Sequence, residues 1–406
     1  MNIKINKKSF TITVLNNRIL IVLFILPFIE PIYLNSIIWS DKIFNVCYIF
    51  AILIAGIMLI ENRFNLSNAL KLLCTFFIFL CFSTIIHKNS LGLVINYIGK
   101  SLIFSIVMEY AIRNRCYKIL DTLEILLEII IIINFITIIV FPNGLYVNST
   151  EYIVNSENWF MGFKNVHIRT MLPTVALSIS NSYRKLNKIG TNSIFIVFLV
   201  FISVILINSS TAIVGMTIFI LLTIVFKYNI FTKIASVKNA LFALVLIFLG
   251  IYYLHIQNIF AFFLEDVLGK DLTFHNRLII WKKSIDLIAK NPLLGIGYQP
   301  TDKFYLLLGA PHSHNYYLFT VLISGILGGI VMCLFYVVVS KKIIKYRKMS
   351  SAACFQAMVI SIFIMGLTES LTATNLIYPM IIVGYHIDKL NYVEKKKKRY
   401  IIKIKR

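Results

Sequence analysis

The chain has 406 residues, and 59% of them are hydrophobic, well above the ~45–50% of a soluble domain, which excludes an ordinary soluble enzyme. A formal charge of +23, from 40 Lys and Arg against 17 Asp and Glu, would direct a soluble chain towards nucleic acid. Here the charges fall between long apolar runs, where Lys and Arg act as topology signals, so the expected class is an all-α, polytopic integral membrane protein.

Taken in order, apolar windows predict spans at 19–39, 43–61, 69–87, 91–112, 119–141, 166–183, 191–208, 211–227, 239–256, 315–340, 352–370 and 373–387, about twelve transmembrane helices. The first follows a basic start, is too long for a removable signal peptide and lacks a small-residue cleavage site, so it is expected to remain as a span; Pro27 and Pro31 sit in its middle. With both termini inside, 29 of the 40 Lys and Arg are cytoplasmic, and every short inside loop is basic. This divides the chain into transmembrane helices 1–9 over 1–256, a large extracytoplasmic loop over 257–314, helices 10–12 over 315–388 and a basic cytoplasmic tail over 389–406. Cys47, Cys74, Cys81 and Cys333 lie in apolar runs, and Cys116 and Cys354 beside basic loops, with neither a disulfide framework nor zinc-ligand spacing. No nucleotide-binding glycine loop or Walker lysine is present.

Two external segments stand out, a polar stretch at 142–165 and the loop 257–314, and loops that long point to function. Within the second, the sequence predicts a helix over about Phe274 to Lys290, closed by Asn291 and Pro292 and followed by a glycine turn at Gly295 and Gly297. Lys282, Asp286 and Lys290 share one face. Trp281, Ser284, Ile285 and Ile288 share the other, with Arg277 one turn before Trp281 at the rim of an amphipathic, interface-lying helix. Arg277 is then either a snorkelling anchor or a guanidinium aimed at phosphate. His312 and His314 stand just before a span. Zinc would need further ligands that the spacing does not supply, whereas a neutral histidine can take a proton from an attacking hydroxyl. Glu30, Lys100, Glu109 and Glu369 are candidate intramembrane charges, which keeps a transporter or flippase open as an alternative. Glu369 reads equally as a helix-end carboxylate or as a wall of the site facing the loop.

The pattern His314–Asn315, nine residues, then Gly325–X–X–Gly328, preceded by Arg277–Leu–Ile–Ile–Trp281 and Asn291–Pro–Leu–Leu–Gly–Ile–Gly297, resembles the O-antigen ligase and O-antigen polymerase superfamily of bacterial polysaccharide assembly. Gly162–Phe–Lys–Asn165 is similar to that family's glycine-asparagine segment, and Ser209–Ser–Thr–Ala212 to its serine-containing turn. The resemblance covers roughly residues 155–371 and implies a GT-C-like glycosyltransferase architecture in the cytoplasmic (inner) membrane. It implies polymerisation of polyprenyl-pyrophosphate-linked oligosaccharide units by metal-independent, inverting transfer, with no cofactor. Partners would be the lipid-linked donor, a glycan acceptor and membrane lipid, together with a flippase and a chain-length regulator, and no nucleic acid. His314 would be the catalytic histidine and Arg277 would contact the pyrophosphate, with His312, Asn315, Trp281, Lys164, Asn165 and Arg169 around the substrate. The ligase branch often has an arginine in the serine turn where this chain has Ser210 and Thr211, a departure that leans towards polymerase and leaves Arg169 or Lys164 as the second cation. Ligation of finished glycan to a lipid or protein remains the alternative.

Overall fold

A chain that must hide its backbone in lipid closes its hydrogen bonds within helices, and helix dominates the computed structural model, which describes residues 10–150, 153–226, 229–234, 236–254, 274–371 and 375–390. The N-terminal residues 1–9, the loop segment 255–273 that opens the expected catalytic loop, and the tail from residue 391 lie outside the described residues. Among the described residues, five helices are long and apolar enough to cross a membrane: Ile38–Glu61, Asn68–Ile86, Leu91–Arg113, Lys118–Val140 and Tyr316–Lys345. Arg18–Phe28, Thr191–Leu206, Ser210–Val225 and Ser350–Met365 are shorter apolar helices. Helix Ile377–Tyr385, in the last expected window, has nine residues, a rise of about 14 Å, half the hydrocarbon thickness.

The described residues form two compact units. The first takes Met1–Ser67, Lys100–Asn208 and Asn375–Arg406. The window 19–39 is not one span there. Its helix tightens at Leu26–Phe28, where Pro27 sits in the first turn, and Pro31 starts the separate turn Ile32–Asn35 before helix Ile38–Glu61 begins. A proline lacks the N–H that would continue the ladder, and two of them four residues apart break it.

Helix Lys164–Leu186 is long yet polar, because most of it is buried against neighbours that answer its polar side chains. Asn181 and Lys185 both donate to Glu124 (3.0 and 2.9 Å), Ser178 donates to Glu128 (3.0 Å), Arg184 pairs with Asp121, and His167 meets Asn134 (3.4 Å). Asp121, Glu124, Glu128 and Asn134 form one seam along helix Lys118–Val140. In lipid such pairs hold helices together where apolar packing has no advantage over lipid tails. Three of the intramembrane charges flagged above are paired within this unit. Lys100 lies 3.3 Å from Glu30, and Glu109 accepts from the Ser67 N–H (2.7 Å) and pairs with Arg113 (3.2 Å) and His386 (3.3 Å).

The stretch 142–165, expected only to be polar, carries a three-stranded antiparallel sheet: β1 Tyr146–Thr150, β2 Ile153–Trp159 and β3 Gly162–Phe163. Its anchor is the fully buried Trp159, whose indole N–H donates to the Phe141 carbonyl (2.8 Å). Asn134 accepts from the Met161 N–H (2.9 Å), and His167 Nε2 donates to the Gly162 carbonyl (2.9 Å).

The second unit takes Asn68–Gly99 and Ser209–Thr374. Helix Asn68–Ile86 packs along Tyr316–Lys345, and Ser210–Val225 along Ser350–Met365, where Gly215 meets Met365 so closely that a Cβ would lie 2.2 Å from its sulfur. Helix Tyr316–Lys345 is interrupted at Gly325, whose φ of 69° and ψ of −177° are open essentially to glycine alone. The turn after helix Phe274–Lys290 fills that interruption: Ile326 and Leu327 donate to the Pro292 and Leu293 carbonyls (2.8 and 3.3 Å), and Ile296 donates to Leu322 (2.8 Å). A Cβ at Gly325 would stand 2.0 Å from the Leu293 oxygen, and one at Gly295 would stand 2.3 Å from the Leu322 oxygen. Two glycine motifs far apart in sequence are therefore the two halves of one backbone joint.

Candidate active site

The joint fixes the direction in which helix Tyr316–Lys345 starts. Asn315 caps it, its side-chain oxygen accepting from the Tyr317 and Leu318 N–H groups (3.0 Å each), a geometry that satisfies donors otherwise orphaned at a helix start. The same amide donates to the Leu367 carbonyl (3.2 Å), and the Tyr316 N–H donates to Gly366 (2.7 Å). Immediately before the cap, His314 adopts a left-handed backbone with φ of 47°, uncommon for a residue with a side chain. Its N–H donates to His312 Nδ1 (3.2 Å), which places the proton of neutral His312 on Nε2, and the two rings lie 4.2 Å apart.

The turn that receives the cap also carries Glu369. This carboxylate is buried, with 4% of its side chain exposed, and its Oε1 lies 3.9 Å from Nη2 of Arg277, whose side chain is 31% exposed. Burial lowers the Arg277 pKa, the Glu369 carboxylate offsetting only part of that, and a guanidinium stays protonated throughout the physiological range. Thr211, from the serine-containing turn, comes within 3.5 Å of Thr368 on the same turn. The segment Gly366–Glu369 thus joins three stretches: the start of helix Phe274–Lys290, the His–X–His–Asn segment and the start of helix Ser210–Val225. A cation and two imidazoles are held beside one short turn, a set able to bind an anionic leaving group and to accept a proton.

Helix Phe274–Lys290 has the bounds the sequence predicts, with Trp281 and Ser284 buried and Lys282, Asp286 and Lys290 exposed. Two expected contacts need correction. Trp281 has 0% exposure, so it offers no face to a sugar. Asn315 is equally buried and its amide serves the backbone on both sides, so it positions His314 instead of reaching substrate. Lys164, Asn165 and Arg169 are half-buried at the start of helix Lys164–Leu186 in the first unit, whereas Arg277, His312 and His314 belong to the second. Sequence reasoning left Glu369 with two readings, and the structure joins them, since the helix-end carboxylate is also the neighbour of Arg277.

It also missed a cluster of rings. Tyr97 and Tyr298 have centroids 4.2 Å apart, with Phe304 and Phe319 behind Tyr298 at 5.7 and 6.4 Å, and burial pushes the Tyr298 hydroxyl up to about 12. Tyr298 directly follows the motif glycine Gly297, a signal that was available. Tyr97 sits in an apolar window that gave none.

No curated protein matches this chain. Residues 195–333, about a third of its length, match the family model described as O-antigen ligase. The matched stretch contains Arg277, His312, His314 and the Gly325 joint, while Glu369 and the 164–169 segment lie beyond it. Together with its apolar helices, this match supports an integral membrane protein and a place in the O-antigen ligase and polymerase superfamily, a family that implies lipid-linked glycan substrates.

Proposed function

We propose that the protein polymerises polyprenyl-pyrophosphate-linked oligosaccharide units into a surface polysaccharide at the outer face of the cytoplasmic membrane. The single observation that carries this reading is the Gly366–Glu369 turn, which gathers Arg277 and the helix cap of His314. An acceptor hydroxyl attacks the anomeric carbon as the bond from that carbon to the pyrophosphate oxygen breaks. The electron pair leaves with the pyrophosphate, the hydroxyl proton passes to His314, and configuration inverts. Arg277 neutralises charge as it builds on the leaving oxygens, a term that grows in a poorly hydrated site. His312, with its proton on Nε2, is placed to donate to the acceptor or donor sugar. Glu369, with its carboxylate 3.9 Å from the guanidinium, keeps Arg277 oriented towards the leaving group.

The reading carries a GT-C-like arrangement of about twelve spans, cytoplasmic termini and an extracytoplasmic loop 257–314. A flippase would deliver the donor and a chain-length regulator would set product size. Deletion of the protein should collapse a ladder of glycan sizes to one repeat, and His314→Ala or Arg277→Ala should reproduce that collapse. Full-length polymer from either variant would refute the mechanism. Intact polymer retained on its lipid carrier would identify a ligase instead.

A further inference from the structure

With Trp281 buried, a glycan site needs another apolar surface for the C–H face of a sugar ring, and the second unit contains one. Tyr97 lies in the π-helical stretch Ile95–Gly99, a helix defect of the kind that recurs at functional sites. Tyr298 is held by its backbone: its N–H donates to Thr84 Oγ1 (3.0 Å), and at the preceding Gly297, with φ of 69°, a Cβ would lie 2.7 Å from the Thr84 Cα. Tyr97, Phe304 and Phe319 are buried, whereas Tyr298 is half-buried, so within this cluster Tyr298 is the ring with free surface. Phe319 continues the cluster to His312 at 6.1 Å, whose ring is in turn 4.2 Å from His314. The platform and the imidazole pair are thus parts of one packed group. We infer that Tyr298, backed by Tyr97, is a substrate-contacting residue that receives the C–H face of a pyranose ring of the lipid-linked glycan.

The inference rests on the glycan-transfer reading and adds to it the place where the sugar lies. A ring face recognises the shape and apolar side of a sugar more than any one hydroxyl, so Tyr298 orients the glycan while His312 and the acceptor hydroxyl supply polar selectivity. Full-length protein in nanodiscs, supplied with lipid-linked repeat units, tests it. Tyr298→Leu keeps an apolar side chain and removes the π face. It should raise KM about 2- to 10-fold, the equivalent of roughly 0.5–1.5 kcal/mol of aromatic contact, with kcat changed less than KM. Tyr298→Phe should restore the low KM. Tyr298→Trp gives a second readout, because saturating repeat unit should change its emission beyond the change in the wild type. A wild-type KM for Tyr298→Leu, a rise as large for Phe as for Leu, or an unchanged Trp emission would each overturn the assignment. Full transfer by His314→Ala would instead break the underlying reading, and Tyr298 would fall with it.

Discussion

The ion pairs of the two units are built differently. In the seam of the first unit, Glu124 accepts from Asn181 and Lys185 at 3.0 and 2.9 Å, and Arg184 is the more buried member of its pair with Asp121, 10% against 30% exposed. In the second unit the buried Glu369 and the more exposed Arg277 stand 3.9 Å apart, beyond hydrogen-bonding distance. Lys100 and Arg113 are as exposed as Arg277 but lie 3.3 and 3.2 Å from their carboxylates. The seam closes charge within the protein at hydrogen-bonding distance, whereas the Arg277 pair is the looser one, as the proposed phosphate contact requires. A charge near a membrane is therefore informative through its distance and exposure, more than through its presence.

The largest expected effect separates the two regions directly. His314→Ala should lower transfer by about 10²–10⁴-fold, the usual worth of a positioned acid or base, and Arg277→Ala should do so on a comparable scale, both with unchanged melting temperature. A purified-protein transfer assay beside a thermal melt measures this. If either variant lost stability and kept activity per folded molecule, the contrast between a structural and a functional ion pair would collapse.

The next effect falls on the joint. Gly325→Ala places a Cβ 2.0 Å from the Leu293 oxygen in a backbone conformation that only glycine adopts readily. The variant should reach the membrane at several-fold lower abundance and lose transfer, because the helix that presents His314 can no longer seat the Pro292–Ile296 turn. Quantitative blotting with activity per molecule checks it, and wild-type abundance would show the joint to be dispensable.

Much of this unit was legible before the fold. Helix Phe274–Lys290, its stop at Asn291–Pro292 and the glycine turn follow from periodicity and local turn chemistry, which act over a few residues. The meaning of Gly325 did not follow, since its constraint comes from a carbonyl 32 positions earlier in the chain. Spacing also separated Glu369 from Arg277 by 92 positions. The sheet at 142–165 was hidden because its anchors lie in neighbouring elements: the Trp159 indole donates to Phe141, the Met161 N–H to Asn134, and the Gly162 carbonyl accepts from His167. The burial of Trp281 and Asn315 was equally illegible: each stands inside a motif, and a motif position does not say which way its side chain faces.

Asn134→Ala should be milder than the joint variant and opposite in kind to the catalytic ones. It removes the acceptor of the buried Met161 N–H and the neighbour of His167, a loss of about 1–3 kcal/mol for an unmet buried group. The protein should melt earlier while transfer per folded molecule holds, as measured by thermal unfolding in nanodiscs beside the transfer assay. A selective loss of transfer would bring the first unit's polar seam into the reaction.

The smallest effect belongs to Trp281→Phe. A stacking residue would raise KM when its indole is reduced, as Tyr298→Leu should, but a fully buried indole serves the interior of the fold. The change trims volume from the contact between helix Phe274–Lys290 and its surroundings, so it should lower stability by about 1 kcal/mol or somewhat more and leave KM for the lipid-linked glycan at the wild-type value. Running Trp281→Phe and Tyr298→Leu side by side therefore asks one question of two aromatic residues in neighbouring motifs: a KM that moves with Trp281 and not with Tyr298 would return the sugar face to the motif tryptophan, and the reverse would place it on the ring that the glycine turn holds in view.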